Sequence, residues 1–326
     1  MKIGIVFAGQ GAQYSGMGKD LYDSYPEAKE IFDMAGEQVK EWCFEGDEET
    51  LKQTHVTQPT IYTTTMAAYK ALMAEIEKQG IEDSLEVTAL AGFSLGEYSA
   101  LTAAGAIDEI SKGIDIVSKR GVLMQQAGLD EDGNPKGGMA AGLGERQAIL
   151  EAVEAAREDG ILEGVNFNSP TQTVVAGDKA ALKRFRRAAK ERGVKAIPLG
   201  VSTAFHSPMM VPAAEKLREV LLQADLRAPE KKVYANITAD DIMKDFDGGD
   251  IGEYLTDILA RQAMSPVYWE DIIKRFEKDG VKAIIEVGPG KTLTGLTKKT
   301  CPEIEALNVE NVESLENTIS RLKELI

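Results

Sequence analysis

Ala89-Leu90-Ala91-Gly92-Phe93-Ser94-Leu95-Gly96-Glu97-Tyr98-Ser99-Ala100-Leu101 is the stretch on which the reading of this chain turns. Val87–Ala91 is mostly apolar and short enough for a buried strand, while Leu95–Ala104 is rich in Leu and Ala and stops at Gly105, a helix-ending signal. Ser94 therefore falls on a sharp turn between strand and helix. Gly92 and Gly96 flank it as Gly-x-Ser-x-Gly, the spacing of a nucleophile elbow, where strand and helix backbones pass too close for a Cβ. Such a turn exposes the Ser94 hydroxyl beside the unpaired N–H groups that open the helix, Leu95 first among them, and these can stabilise an oxyanion. The structural alternative is a Gly-rich turn in which Ser94 only caps the helix.

Composition narrows the rest. At 326 residues the chain is long for one compact unit, and a large domain carrying a smaller inserted one is expected. An apolar share of 43% and a charged share of 28% are those of an ordinary globular protein, and no apolar run approaches a membrane span. Met1–Ala8 leads directly into Gly9-Gln10-Gly11, which reads as a first strand and its loop rather than a signal peptide. Cys43 and Cys301, far apart, give neither a disulfide framework nor a metal site, and they fit a reducing cytoplasm. His55 and His206 are too few and too isolated for zinc. A net charge of −16 argues against nucleic-acid binding, which draws most of its affinity from cations.

Two Gly-rich segments resemble nucleotide loops and fail as such. Gly9-Gln10-Gly11-Ala12-Gln13-Tyr14 has Tyr14 where a dinucleotide fingerprint needs its third Gly, and Gly288-Pro289-Gly290-Lys291-Thr292 has Ile285 where a phosphate loop needs its first. The first of them can instead bring the Gln10 N–H to a second oxyanion position. Helical patterns follow at Pro26–Trp42 and Pro59–Lys78, with His55 in a polar loop between them. Past the elbow helix, Ile110, Ile114, Val117, Gly121 and Met124 keep helical spacing around Arg120, which either snorkels, pairs or binds a ligand.

A mobile-looking loop, Asp130–Gly137, then marks a boundary. The pattern from Gly138 to Leu199 is strand (Met139–Gly142), helix (Glu145–Glu158), strand (Val165–Asn168), strand (Thr173–Ala176), helix (Lys179–Arg192) and strand (Val194–Leu199). That order is a ferredoxin-like subdomain, at 129–199, inserted into a larger α/β subdomain made of 1–128 and 200–326. Its second helix carries Lys183, Arg184, Arg186, Arg187, Lys190 and Arg192, either a solvated face or a dock for an acidic partner.

The larger subdomain resumes at Gly200–Pro208, a loop that holds His206. A serine hydroxyl needs a base, and His206 follows Ser94 in chain order, as in hydrolase-like folds. A strand near Val233–Ile237, helices near Gly252–Ala263 and Val267–Lys278, a buried strand at Ala283–Val287 and a terminal strand and helix complete a hydrolase-like, mostly parallel sheet.

Gly9-Gln10-Gly11-Ala12-Gln13, Gly92–Ala100, Lys119-Arg120-Gly121, Ala204-Phe205-His206 and Glu286–Lys291 together resemble, over nearly the whole chain, the malonyl-CoA:acyl carrier protein transacylases. That family often has His where Phe93 stands and Pro where Ala8 stands. The resemblance implies Ser94 as acyl nucleophile, His206 as its base, and the Gln10 and Leu95 N–H groups as oxyanion hole. It puts Gln262 beside the histidine in place of a triad carboxylate, and Arg120 as a bidentate clamp on the malonyl carboxylate. Phe205 resembles the malonyl-selective form of related domains, Met124 would line the same pocket, and Asn166, Gln172 and Lys195 would contact the pantetheine arm. The resemblance further implies malonyl-CoA and acyl carrier protein as partners and a monomeric enzyme needing no metal or resident cofactor.

Overall fold

In the computed structural model, which describes residues 1–326, nine strands form two sheets. They are β1 (Lys2–Phe7), β2 (Glu86–Gly92), β3 (Gly137–Leu143), β4 (Leu162–Ser169), β5 (Gln172–Asp178), β6 (Lys195–Pro198), β7 (Val233–Tyr234), β8 (Ala283–Val287) and β9 (Glu305–Val309). The larger sheet has the order β7-β2-β1-β8-β9 and is parallel throughout. Its inner strands are near-continuous apolar runs because helices cover both faces. Phe7 on β1 pairs with Gly92 on one side and Val287 on the other, so the loops after β1, β2 and β8 leave the same sheet edge together.

The packing of this sheet centres on the helix Thr54–Lys78, of whose 25 residues 19 are buried. A helix apolar or small all round is one enclosed on every side. Expected to begin at Pro59, it starts at Thr54 and takes the proline within it, so His55 lies in its first turn and not in a loop. The pattern Pro26–Trp42 is likewise two helices, Pro26–Ala35 and Glu37–Glu45, divided at Gly36, whose φ of 88° no helix continues. The strand expected over Val233–Ile237 is only the two residues of β7.

The smaller sheet is antiparallel with order β4-β5-β3-β6, and two helices, Arg146–Arg157 and Lys179–Glu191, cover one face over an apolar core of their own. This is the ferredoxin-like arrangement. The loop before it is an ordered turn: the Asp130 carboxylate accepts from the N–H groups of Asp132 and Asn134 at 3.0 and 2.8 Å, and Leu129 bridges to Pro135.

Four contacts tie the smaller subdomain to the larger unit. Phe167 N–H donates to Val267 C=O at 2.9 Å, and Val267 N–H donates to Val165 C=O at 2.8 Å. The Phe167 and Tyr268 rings stack at 5.3 Å, and Arg146 pairs with the buried Glu270. A cleft is left between the two units, and Ser94 lies in it.

Candidate active site

Steric necessity at the elbow is direct. A Cβ on Gly92 would sit 1.8 Å from the Gly96 carbonyl carbon, and one on Gly96 would sit 2.2 Å from Phe7 O. Between them Ser94 is held at φ 53°, in the left-handed region. Its hydroxyl does not cap the helix Gly96–Ala103. Ser94 Oγ lies instead 2.8 Å from His206 Nε2 and 3.3 Å from Arg120 Nη2.

The loop after β1 runs hard against this turn, since a Cβ on Gly9 would be 2.4 Å from Phe93 O. The backbone N–H groups of Gln10 and Leu95 find no acceptor within the chain. Unpaired donors beside a nucleophile are what an oxyanion requires.

His206 also has positive φ, 60°, on the loop before the short 3₁₀ turn Pro208–Met210. Its Nδ1 lies 2.9 Å from the backbone C=O of Gln262 and 3.2 Å from that of Ser265. Carbonyls only accept, so Nδ1 carries the proton and Nε2 is free to accept from Ser94. Burial and then the Arg120 charge push the imidazole down to about 4, which leaves it neutral and available as a base.

Gln262 thus stands beside the histidine, through its main chain. Its backbone carbonyl, not its carboxamide, supports the histidine. The side chain works elsewhere: Nε2 donates to Ser94 O at 2.7 Å and to Glu97 Oε2 at 2.9 Å, while Oε1 accepts from Arg120 Nη2 at 3.1 Å.

Arg120, from the helix Ile110–Ala127, is 1% exposed. Nη1 donates to Gln58 Oε1 at 2.9 Å, and the guanidinium lies 5.2 Å from the Tyr98 ring centre. No carboxylate pairs with it, and Nε has no partner. A buried cation served only by neutral groups is a receptor for an anion.

The cavity around these groups measures about 650 Å³, and Met124 and Phe205 line it. Asn166 lines both this cavity and an adjoining one of about 190 Å³, which Asn168 and Gln172 share. The Oδ1 atoms of Asn166 and Asn168 are buried without a donor. Lys195 is not in either cavity. It is exposed on β6 and lines a separate surface depression with Lys183, Arg186, Arg187 and Lys190, because its strand forms the outer edge of the small sheet. His55, through Nδ1, lies 2.9 Å from Gln125 Oε1 and takes no part in the site.

Sequence reasoning missed Gln58, Glu97 and Asn236. Glu97 is adjacent to the elbow glycine and buried, which pushes its carboxyl up to about 7. Gln58 and Asn236 reach the site across 62 and 142 residues, with no local pattern to mark them.

The arrangement, a serine with a neutral imidazole, unpaired N–H donors and a buried cation, is equipped for acyl transfer with an anionic acyl group. Comparison with known proteins agrees. The family described as "Acyl transferase domain" matches residues 5–321. The malonyl CoA-acyl carrier protein transacylase of Bacillus subtilis is 38% identical over 330 residues, covering 99% of this chain and 98% of that protein. The crystal structure of the malonyl CoA-acyl carrier protein transacylase from Clostridium perfringens superposes with a TM-score of 0.88 at 38% identity, covering 100% of this chain and 98% of that one. A malonyl-transacylase in complex with a type II PKS acyl-carrier protein superposes with a TM-score of 0.88 at 33% identity, covering 98% of this chain and 100% of that one.

Proposed function

The chain belongs to the acyl transferase domain family, and we propose that it moves a malonyl group from malonyl-CoA to the phosphopantetheine thiol of acyl carrier protein through a malonyl-Ser94 intermediate. The reaction supplies extender units for fatty-acid synthesis. The observation that carries this reading is the convergence on Ser94 Oγ of His206 Nε2 at 2.8 Å and Arg120 Nη2 at 3.3 Å.

In the first half-reaction Ser94 Oγ attacks the thioester carbonyl as His206 Nε2 takes its proton. The Gln10 and Leu95 N–H groups receive the negative oxygen, which collapses to expel CoA sulfur, and His206 returns the proton to it. In the second, the carrier thiol gives its proton to His206 and attacks the acyl-serine, and Ser94 leaves with that proton. The free malonyl carboxylate takes the Arg120 fork throughout, while Met124 and Phe205 bound the space around the α-carbon.

The pantetheine arm of either substrate is assigned to the cleft, with Asn166 and Gln172 as its contacts. The two units that bound it are the subdomains 1–128 with 200–326, and 129–199. No resident cofactor or metal enters the scheme; malonyl-CoA is substrate and phosphopantetheine arrives with the partner. Lys183, Arg186, Arg187, Lys190 and Lys195 make no ion pair and line a depression of about 540 Å³, which suits an acidic face of the carrier. A monomer working in the cytoplasm completes the reading.

Intact-protein mass spectrometry after brief mixing with malonyl-CoA, followed by phosphopantetheinylated carrier protein with its thiol free, tests it. The expected result is a malonyl adduct on the native chain, absent in Ser94→Ala, that moves to the carrier. An adduct on Ser94→Ala sinks the nucleophile assignment, and one that decays to malonate regardless of carrier makes the enzyme a hydrolase.

A further inference from the structure

The strained turn that presents Ser94 is held by one buried side chain that local sequence does not mark. β7 pairs with β2 only at Leu90–Val233 and Ala91–Tyr234 and then stops, so the last carbonyl of β2 has no strand beside it on that edge. Asn236, two residues beyond β7 and fully buried, fills the place of the missing strand. Its Nδ2 donates to Gly92 O at 2.7 Å, and its Oδ1 accepts from Ser94 N–H at 2.8 Å. A single planar carboxamide thus grips the backbone on both sides of Phe93.

Asn236 is itself fixed on every polar atom. Its own N–H points to the Glu97 carboxylate at 3.3 and 3.4 Å, and its C=O accepts from Tyr268 N–H at 2.9 Å. Gln262 Nε2, which holds Ser94 O at 2.7 Å, is 3.5 Å from Asn236 Oδ1. Both peptide groups of the left-handed serine are therefore anchored by side chains, in addition to the turn bonds from Gly96 N–H to Phe93 O at 2.9 Å and from Glu97 N–H to Ser94 O at 3.1 Å. A non-glycine residue at φ 53° persists only where its surroundings over-determine it. Without these anchors the turn would relax and swing Oγ away from His206.

We propose that Asn236 is a positioning residue for the nucleophile, its carboxamide bracketing the elbow so that Ser94 Oγ stays aimed at His206 Nε2. It touches neither substrate nor the transferred proton and acts through the Ser94 backbone. This inference rests on Ser94 being the acylated residue.

The test is rapid-quench measurement of Ser94 acylation by malonyl-CoA in the full-length protein. Asn236→Ala lowers the saturating acylation rate about 100-fold, the cost of misplacing a reacting atom by roughly 1 Å, while the half-saturating malonyl-CoA concentration moves by less than about threefold. Loss in the saturating rate that matches the fraction of unfolded protein by circular dichroism would overturn the proposal, since that is the signature of a merely structural residue. Asn236→Asp covers the case in which Asn236→Ala fails to fold. It keeps volume and the acceptor for Ser94 N–H, loses the donor to Gly92 O, and sets a second carboxylate near Glu97. Its rate falls about tenfold or more and recovers in part when Glu97→Gln removes the repulsion. A folded Asn236→Asp that acylates within about threefold of the native rate overturns the proposal as well. Failure of the native chain to acylate at Ser94 would instead remove the functional reading on which this rests.

Discussion

Arg120 Nη2 lies 3.3 Å from Ser94 Oγ inside a pocket where the arginine is 1% exposed and has no carboxylate partner. The cation proposed to receive the acyl carboxylate therefore rests on the proposed nucleophile itself. The same guanidinium is the second cause, after burial, that holds down the basicity of His206.

Selectivity follows from this contact. Arg120→Ala lowers malonyl transfer by roughly 100-fold, the equivalent of losing about 2–3 kcal/mol of charged hydrogen bonding, and lowers acetyl transfer far less. Arg120→Lys restores only part of the malonyl rate, because an ammonium cannot make the two-pronged pair. Parallel transfer assays with malonyl-CoA and acetyl-CoA decide it; equal losses on both would count against the clamp.

The pH dependence is set by a histidine held well below its ordinary value. The folded value of about 4 lies under the ordinary 6.5, so as pH falls the unfolded chain takes up this proton first. The stability tied to neutral His206 is intact above about 6.5 and is lost progressively from there to about 4. For catalysis the same depression keeps the base available in mild acid: acylation at low malonyl-CoA stays level from about pH 8 to about 5 and drops around 4. Repeating the profile in Glu97→Gln removes the neighbouring carboxyl, which burial pushes up to about 7. A single midpoint near the ordinary histidine value in both proteins would mean that the imidazole is hydrated.

Charge reversal at Arg186 and Arg187 weakens transfer to the carrier without altering formation of the acyl-enzyme. Both side chains are exposed and form no ion pair, whereas Arg184 on the same helix turns inward to donate to Ala156 O and Arg157 O, both at 2.8 Å. Attraction between exposed charges is screened over about 8 Å at physiological salt, so the defect is largest in dilute buffer and fades as salt is added. Transfer rates that are unchanged at low salt would leave this helix as a solvated face.

Much of the architecture was legible because it is written locally. Gly92 is demanded by atoms of Gly96 and Glu97, a few residues away, although Gly96 itself is demanded by Phe7 on the neighbouring strand, and the alternation from Gly138 to Leu199 shows its strands and helices within short windows. Where a local rule misled, packing had overruled it. Pro59 reads as a helix start, yet the helix begins at Thr54 because a segment enclosed on all sides gains more from burial than one missing N–H costs. Gly36, by contrast, did break its helix, as its positive φ requires.

The sequence by itself determined the elbow, the order of strands and helices, and, with only two histidines present, which one could serve as base. Tertiary structure alone decided how those groups are held. It chose the Gln262 carbonyl for His206, the Gln58 and Gln262 amides for Arg120, and Asn236 for the Ser94 backbone, across 56 to 142 residues of chain. The physical reason is that the strand, turn and helix of an elbow are patterned by neighbours in sequence. A buried hydrogen-bond partner need only arrive at the right point in space, and burial, which moves the pKa of His206 and Glu97, exists only once the chain has closed around them.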